Sequence, residues 1–303
     1  MSFFRSLSSA SMIACVQRKL GERPDFLVMN YILGPDRLYE YAHTSGLIDP
    51  DLRAAAPPIP PEELRRGTAA PEEAIFLWSG GVDLDIFLNI YAKHRTTAKN
   101  DPVSVLDFGC GCGRLSRYFE GSNDYRVSAT DINPALVEWC RSNLKRVDTR
   151  LNGPKPPAPF EAGTFDLIYS LSIFTHLPQH LAEAWLADFA RMTKPGGLLI
   201  VTTHGDQALS TIQPSITHRE MFGVTAPEVD ALRQRLTGER YIFLPYPDGV
   251  IQFAKVGEEY GSSFMHPAYA EEHWDKPPWE LVEYRSGGLR KWQDIYVLRR
   301  IAE

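Results

Sequence analysis

Apolar and polar positions change rhythm near residue 100. Before that point the chain is irregular. Residues 1–56 read as loosely helical material, with aromatic residues at Phe26, Tyr31, Tyr39 and Tyr41. The run APPIPPEELRRG follows, and its prolines fit neither a helix interior nor a central strand, so an extended connector is expected there. Pro61 before Glu62 and Glu63 opens a short helix. Leu84 to Tyr91 reads as an apolar helix leading toward His94 and packing on a core. From Val103 the pattern becomes regular. VSVLDF, RVSATD, TFDLIYSLS and LLIVTT are β-prone apolar runs, and two helical segments stand between them. One is Pro134 to Asn143, with Asn133 placed as its cap. The other is Pro178 to Met192, with Leu181, Trp185 and Phe189 on one face, and KPGG then reads as a turn. Continuous apolar strands alternating with helices predict a parallel sheet covered on both faces.

After Thr203 the alternation stops. Residues 205–265 predict a helix from Pro227 to Leu236 and strand-like segments at Arg240–Leu244 and Gly249–Ala254. His266 to Trp274 then reads as a helix. WELVEYR and WQDIYVLRR read as two last strands, joined by SGGLRK as a hairpin-like linker. No internal repeat is visible.

Candidate chemistry gathers at the first strand's end. The loop is Asp107-Phe108-Gly109-Cys110-Gly111-Cys112-Gly113-Arg114. Glycines permit positive φ and close approach of a ligand to the backbone, and open α/β sheets bind ligands at such strand ends. A dinucleotide fingerprint needs Gly-x-Gly-x-x-Gly, but Arg114 stands where its last glycine belongs. That opposes a nicotinamide-dependent oxidoreductase, which remains the less favoured alternative beside a non-catalytic cofactor-binding scaffold. The spacing suits instead the amino-acid end of a nucleoside cofactor, with Asp107 placed to attract its ammonium, directly or through water. The second strand ends at Asp131, where a carboxylate can accept from both ribose hydroxyls.

Composition narrows the field without changing it. The chain has 303 residues, enough for one large domain with additions, and its 23% charged residues are ordinary for a globular protein. A net charge of -6 argues against a nucleic-acid partner, since neutralising phosphates needs a basic face. No apolar run is read as approaching the ~18 residues of a membrane span, so no membrane partner is expected. Four cysteines are too few for a disulfide scaffold, which fits a reducing, cytoplasmic setting. Cys110 and Cys112 read as small residues filling a tight turn, not as metal ligands. The first 20 residues are free of acid and rich in serine, like a transit peptide, but Met12 to Val16 is short for a secretory core, and an N-terminal helix is expected.

VLDFGCGCGRLSRYF, ATDINPALVEW, FDLIYSLSIFTHL and RMTKPGGLLIVTTHG, in this order, resemble the successive motifs of class I S-adenosylmethionine-dependent methyltransferases. The overall look is similar to bacterial enzymes of glycan and secondary metabolism. The resemblance covers about Val103 to Thr203. It implies a doubly wound, Rossmann-like seven-stranded α/β sheet with an antiparallel last strand. The expected division is an extension or cap over residues 1–95 and a cofactor-binding domain over 96–303, with 205–265 as an insertion or lid. The implied cofactor is S-adenosylmethionine, and the implied partner is a small-molecule acceptor methylated on oxygen or nitrogen.

The resemblance also implies residue roles. Gly109, Gly111 and Gly113 match the loop against the methionine portion, Asp131 the ribose carboxylate and Ile132 the residue beside the adenine. Asn152 is the candidate near the adenine amino group, and Ser170 and Leu171 match positions flanking the methionine portion. No metal is implied. Methyl transfer needs alignment above all, and a hydroxyl acceptor benefits from a general base. His176 in THLP and His204 after LLIVTT stand on the rim where an acceptor belongs, and His266 can approach from the insertion. Trp78-Ser79-Gly80-Gly81 and Tyr241, Phe243, Tyr246 and Phe253 are candidate material for an acceptor pocket.

Overall fold

The computed structural model describes residues 57–68, 71–96, 102–246 and 259–301. The expectations on residues 1–56 and the strand-like segment at 249–254, with Phe253, lie outside these. Seven strands form one sheet: β1 (Val103–Phe108), β2 (Tyr125–Asp131), β3 (Val147–Leu151), β4 (Phe165–Ser170), β5 (Thr193–Thr203), β8 (Trp279–Leu289) and β9 (Gln293–Arg300). Their order is β3-β2-β1-β4-β5-β9-β8. β1 to β5 run parallel, and β9 inserts antiparallel between β5 and β8. The topology is the doubly wound, Rossmann-like one expected.

Two helical layers explain the apolar runs. Every residue of β1 and β4 is buried, because the sheet is covered on both sides. On one face lies α4 (Gln179–Met192), which drives Leu181, Trp185 and Phe189 against Phe108 and Phe165. Fully burying each such side chain contributes roughly 1.5–3 kcal/mol. On the other face lie α2 (Glu73–His94) and α3 (Pro134–Asn143). The Asn133 side chain caps α3 by accepting from the Ala135 amide at 3.0 Å.

α2 corrects one expectation. Its segment Ile75–His94 has mean hydropathy 1.2 and is long and apolar enough to cross a membrane. Here, however, Leu84, Phe87, Ile90 and Tyr91 pack on Val105, Val127 and Leu167 of the sheet. The division at residue 95 therefore meets a helix built into the core, ahead of which the short α1 (Glu62–Arg66) packs beside the glycine loop through Leu64. KPGG is likewise not a free turn. It begins β5, where the register with β4 shifts between Phe165 and Leu167.

Residues 205–246 and 259–265 build a separate layer at the sheet's carboxyl edge. It comprises α5 (Asp206–Ile212), α6 (Ile216–Phe222), α7 (Ala226–Glu239) and the antiparallel pair β6 (Tyr241–Pro245) and β7 (Gly261–Met265). Leu209, Ile212, Val229, Leu232, Leu236, Ile242 and Phe264 give it a small core of its own. α8 (Pro267–His273) leads back to β8. SGGLRK is mostly strand: β8 continues to Leu289, and the turn is made by Arg290 and Lys291, both with left-handed φ.

Candidate functional site

The glycine loop takes the shape its sequence demands. Gly109, Gly111 and Gly113 have φ of 78°, 57° and 78°, a region costly for other residues. The space around them is tight. A Cβ at Gly109 would collide with Ile173, and one at Gly111 with Thr68. Arg114, the residue that breaks the dinucleotide fingerprint, points away from the loop. Its guanidinium pairs at 2.7 Å with the fully buried Asp83 of α2, which Arg290 also approaches at 3.0 Å.

A cleft opens beside this loop, lined by Phe108, Gly109, Asp131, Ile132, Asn152, Pro154, Ile173, Trp185 and Tyr260. Asp131 sits at its wall, half-buried. Its two oxygens accept from the Gly111 and Asn133 amides, each at 2.9 Å. An ionised carboxylate offers about four acceptor sites, so acceptor capacity remains for a ligand hydroxyl. Burial raises the Asp131 pKa, against the amide hydrogen bonds that lower it. Asn152 is fixed beside it by the Thr130 hydroxyl, which donates to its Oδ1 at 2.9 Å. A ribose-facing carboxylate, an amide and flat apolar walls, next to left-handed backbone amides, fit a nucleoside with an amino-acid tail. Of the residues named for the cofactor from the sequence, Gly109, Asp131, Ile132 and Asn152 line this cleft.

Other expected positions lie outside this lining. Asp107 does not face the cleft. It lies in the plane of the sheet's core, its Oδ2 accepting from the Ser116 hydroxyl at 2.6 Å, and burial pushes its pKa up to about 6. It braces the loop from beneath through Ser116. Ser170 and Leu171 are buried and do not line the cleft. The wall at this strand end is Ile173, because Ser172 takes a left-handed φ of 60° and turns the chain back over Gly109. Ser172 is held there by its amide donating to Thr202 Oγ1 and by Gln293 donating to its hydroxyl, both at 2.8 Å.

The two histidines part company. His176 stands one turn beyond Ile173, its amide donating to the Ile173 carbonyl at 2.9 Å. Its ring stacks on Tyr260, a wall residue of the cleft, at 6.4 Å between centroids. Its Nδ1 lies 2.8 Å from the Tyr246 hydroxyl and 3.0 Å from the Gly261 carbonyl. Burial lowers its pKa, and the Gly261 carbonyl opposes that. His204 is buried in a box formed by Phe222, Phe264 and Trp292, with ring centroids 5.4–5.6 Å away. Its Nδ1 has no hydrogen-bond partner among the described residues, and burial pulls its pKa down to about 3. It does not line the cleft. His266 caps α8, accepting from the Ala268 amide at 3.2 Å.

Of the aromatic candidates, Tyr241 is structural, donating to the Leu177 carbonyl at 2.8 Å. Trp78 is buried in α2, and Gly80 lies against the Arg114 backbone. The cleft residues that sequence reasoning did not single out are Phe108, Pro154, Ile173, Trp185 and Tyr260. Only Phe108 and Ile173 carried a signal, by standing inside the motifs at the ends of β1 and β4. The insertion meets this wall through hydrogen bonds from the Gly261 and Ser263 amides to the His176 and Thr175 carbonyls, at 3.0 and 2.8 Å. Among the described residues, no group of three or more His, Cys, Asp or Glu is placed to hold a metal ion.

Residues 105–197 match the family described as a methyltransferase domain. The chain is 29% identical over 138 residues to a probable tocopherol O-methyltransferase of Oryza sativa, covering 43% of this chain and 37% of that protein. It is 28% identical over 176 residues to a malonyl-[acyl-carrier protein] O-methyltransferase of Pectobacterium atrosepticum, covering 54% and 66%. It is 33% identical over 103 residues to a ubiquinone biosynthesis O-methyltransferase of Xanthomonas oryzae, covering 33% and 42%. The matched stretch thus spans from about a third to two thirds of the length of these curated relatives. A solved structure of an S-adenosylmethionine-dependent methyltransferase from Methanosarcina mazei aligns with a TM-score of 0.47 at 16% identity, over 70% of this chain and 98% of that one.

Proposed function

We propose, for a chain whose residues 105–197 match a methyltransferase-domain family, that the whole protein moves a methyl group from S-adenosylmethionine to an oxygen of a small-molecule acceptor. The observation that carries the reading is Asp131 at the cleft wall, clasping the glycine loop through Gly111 and keeping acceptor sites for a ribose diol. The choice of oxygen is supported by the relatives, which are O-methyltransferases of tocopherol, malonyl-[acyl-carrier protein] and ubiquinone biosynthesis by name.

The cofactor supplies a methyl group on a sulfonium, which needs no activation by the protein. The protein's share is alignment and exclusion of water, and positioning alone can lower such a barrier substantially. Gly109, Asp131, Ile132 and Asn152 would hold the donor at the carboxyl ends of β1 to β3. The layer of residues 205–246 and 259–265, through Tyr260 and the β6–β7 pair, would close over it and shape the acceptor site. Calorimetric titration with S-adenosylhomocysteine and, separately, with NAD tests the reading. Binding of the first and silence from the second is expected. The reverse result would assign the cleft to a dinucleotide and end the proposal.

A further inference from the structure

We infer that Tyr260, a residue of the insertion, is the platform on which the nucleobase of the methyl donor stacks, so that the cofactor site is completed from outside the shared motifs. The inference deepens the methyltransferase reading and rests on it. Its starting point is the split of the cleft wall. Polar side chains gather at Asp131 and Asn152, and much of the remaining lining is apolar or aromatic, through Ile132, Pro154, Ile173 and Tyr260. A ribose hydroxyl on the acceptor capacity left at Asp131 fixes one end of a nucleoside. The base is joined directly to the same sugar, so it lies within about a ring's width of that carboxylate and needs a flat apolar surface there. Tyr260 stands at this end of the cleft. Burial raises its pKa, and the nearby Asp131 charge raises it further.

Three aromatic side chains reach the cleft, and two are engaged in packing. The rings of Phe108 and Trp185 lie 4.7 Å apart between centroids, and each also meets Phe189, at 4.8 and 6.1 Å. Among the described residues Tyr260 meets one ring, that of His176, stacked at 6.4 Å with 17° between the planes. That contact covers one face of the phenol and leaves the other for a ligand in the cleft. A base stacked there continues a column that begins at His176. An aromatic face suits this task because every base has a π-face of its own.

The platform is also fixed before a ligand arrives. The Tyr246 amide donates to the Tyr260 carbonyl at 3.1 Å, and the Gly261 amide donates to the His176 carbonyl at 3.0 Å. The backbone is thus pinned to the end of β6 on one side and to the turn after β4 on the other. A Cβ at Gly261 would collide with the Leu244 carbonyl and the Phe243 ring, so glycine lets β7 run close enough to β6 to hold this register. A ring already held in place loses little freedom on binding, which favours affinity. The insertion then bears on the donor's affinity as well as on the acceptor.

Calorimetry with two ligands tests this. The probes are S-adenosylhomocysteine and 5′-methylthioadenosine, which keeps the base and the ribose but lacks the amino-acid tail. Tyr260→Ala should weaken both by the same factor, roughly fivefold to a hundredfold. Tyr260→Phe and Tyr260→Trp keep an aromatic face and should stay within about threefold of the wild type. A loss confined to S-adenosylhomocysteine would place Tyr260 on the tail, and unchanged affinities in a folded Tyr260→Ala would leave it with no part in holding the donor. Either result overturns the inference. The wild-type protein gives a second measurement that does not depend on the Ala variant folding. In its S-adenosylhomocysteine complex, with tyrosine rings selectively labelled, nuclear Overhauser contacts are expected between a tyrosine ring and adenine H2 or H8, and they should vanish in Tyr260→Phe. Contacts from that ring to the tail protons alone, or none to the base, also overturn the inference. Failure of the wild type to bind either ligand would instead sink the methyltransferase reading, and the inference with it.

Discussion

At the end of β4, His176 stands among a phenol, a backbone carbonyl and a stacked ring that reaches the cleft. At the end of β5, one strand over, His204 is enclosed by Phe222, Phe264 and Trp292, with Nδ1 unpartnered among the described residues. Both follow an apolar strand on the same edge of the sheet, and in the sequence they look equivalent. The difference lies in what residues 205–265 bring to each. Tyr246, just after β6, and Gly261, at the start of β7, face His176, while Phe222 of α6, Phe264 of β7 and Trp292 ahead of β9 present aromatic rings to His204. The same insertion therefore makes one imidazole chemically available and turns the other into packing.

The sharpest way to break this comparison is to change each histidine in turn. His176→Asn should lower turnover by ~10²–10⁴ while S-adenosylhomocysteine affinity holds. His204→Phe should leave turnover within a few-fold. Turnover assays beside calorimetry read both, and equal losses from the two changes would erase the distinction.

A second contrast sets the supports of the glycine loop against its ligand-facing side. Asp83→Ala removes the counter-charge of buried Arg114, and a buried ion pair broken on one side costs ~3–5 kcal/mol. Denaturant unfolding should show that loss, and an unchanged midpoint would mean that Arg114 finds another partner. Asp131→Ala acts on the ligand instead. Hydrogen bonds to a charged group are worth ~1.5–3 kcal/mol, so S-adenosylhomocysteine affinity should fall by roughly tenfold to a hundredfold. A folded variant with the original affinity would show that the ribose is held elsewhere.

Legibility in the sequence followed local signals closely. α3 was readable at both ends because Asn133 and Pro134 mark its start by their own chemistry, and the observed helix runs Pro134–Asn143. β1, β2 and β4 announced themselves as apolar runs. β3 went unread because it is an edge strand in which only Val147 and Thr149 face inward, so VDTRL looks polar. The glycine loop and Asp131 were readable because positive φ and a strand-end carboxylate leave marks in residue type. Ile173 as the cleft wall was not, since the left-handed turn that places it is made by Ser172 and held by Thr202 and Gln293, from β5 and β9. The environment of His204 was hidden for the same reason, its box being assembled from three separated segments.

That box makes the last and smallest test, in stability. Burial, with His176 as a second cause, pulls the folded pKa of His204 from the ordinary imidazole value of 6.5 down to about 3. A group whose folded pKa is depressed binds fewer protons in the native state than in the unfolded one. Above pH 6.5 the imidazole is neutral in both states and contributes no pH dependence. Below that value the unfolded state gains a proton that the native state refuses, so stability falls as pH falls, until about pH 3 where the native imidazole also titrates. The slope approaches roughly 1.4 kcal/mol per pH unit, and by pH 5 the loss is about 2 kcal/mol. Asp107 works in the opposite sense over part of the range, since its folded pKa is raised to about 6 and its buried carboxyl favours the native state more as pH drops from 6 toward 4. Whole-protein acid curves mix the two, so the measurement is a difference. Urea unfolding of wild type and His204→Phe at pH 7.5 and pH 5 isolates the histidine, because Asp107 is common to both. The Phe variant fills the same box without a titrating nitrogen and should gain about 2 kcal/mol on the wild type between the two pH values. Parallel curves would mean that His204 keeps its proton in the folded protein, and that the end of β5 is as polar as the end of β4.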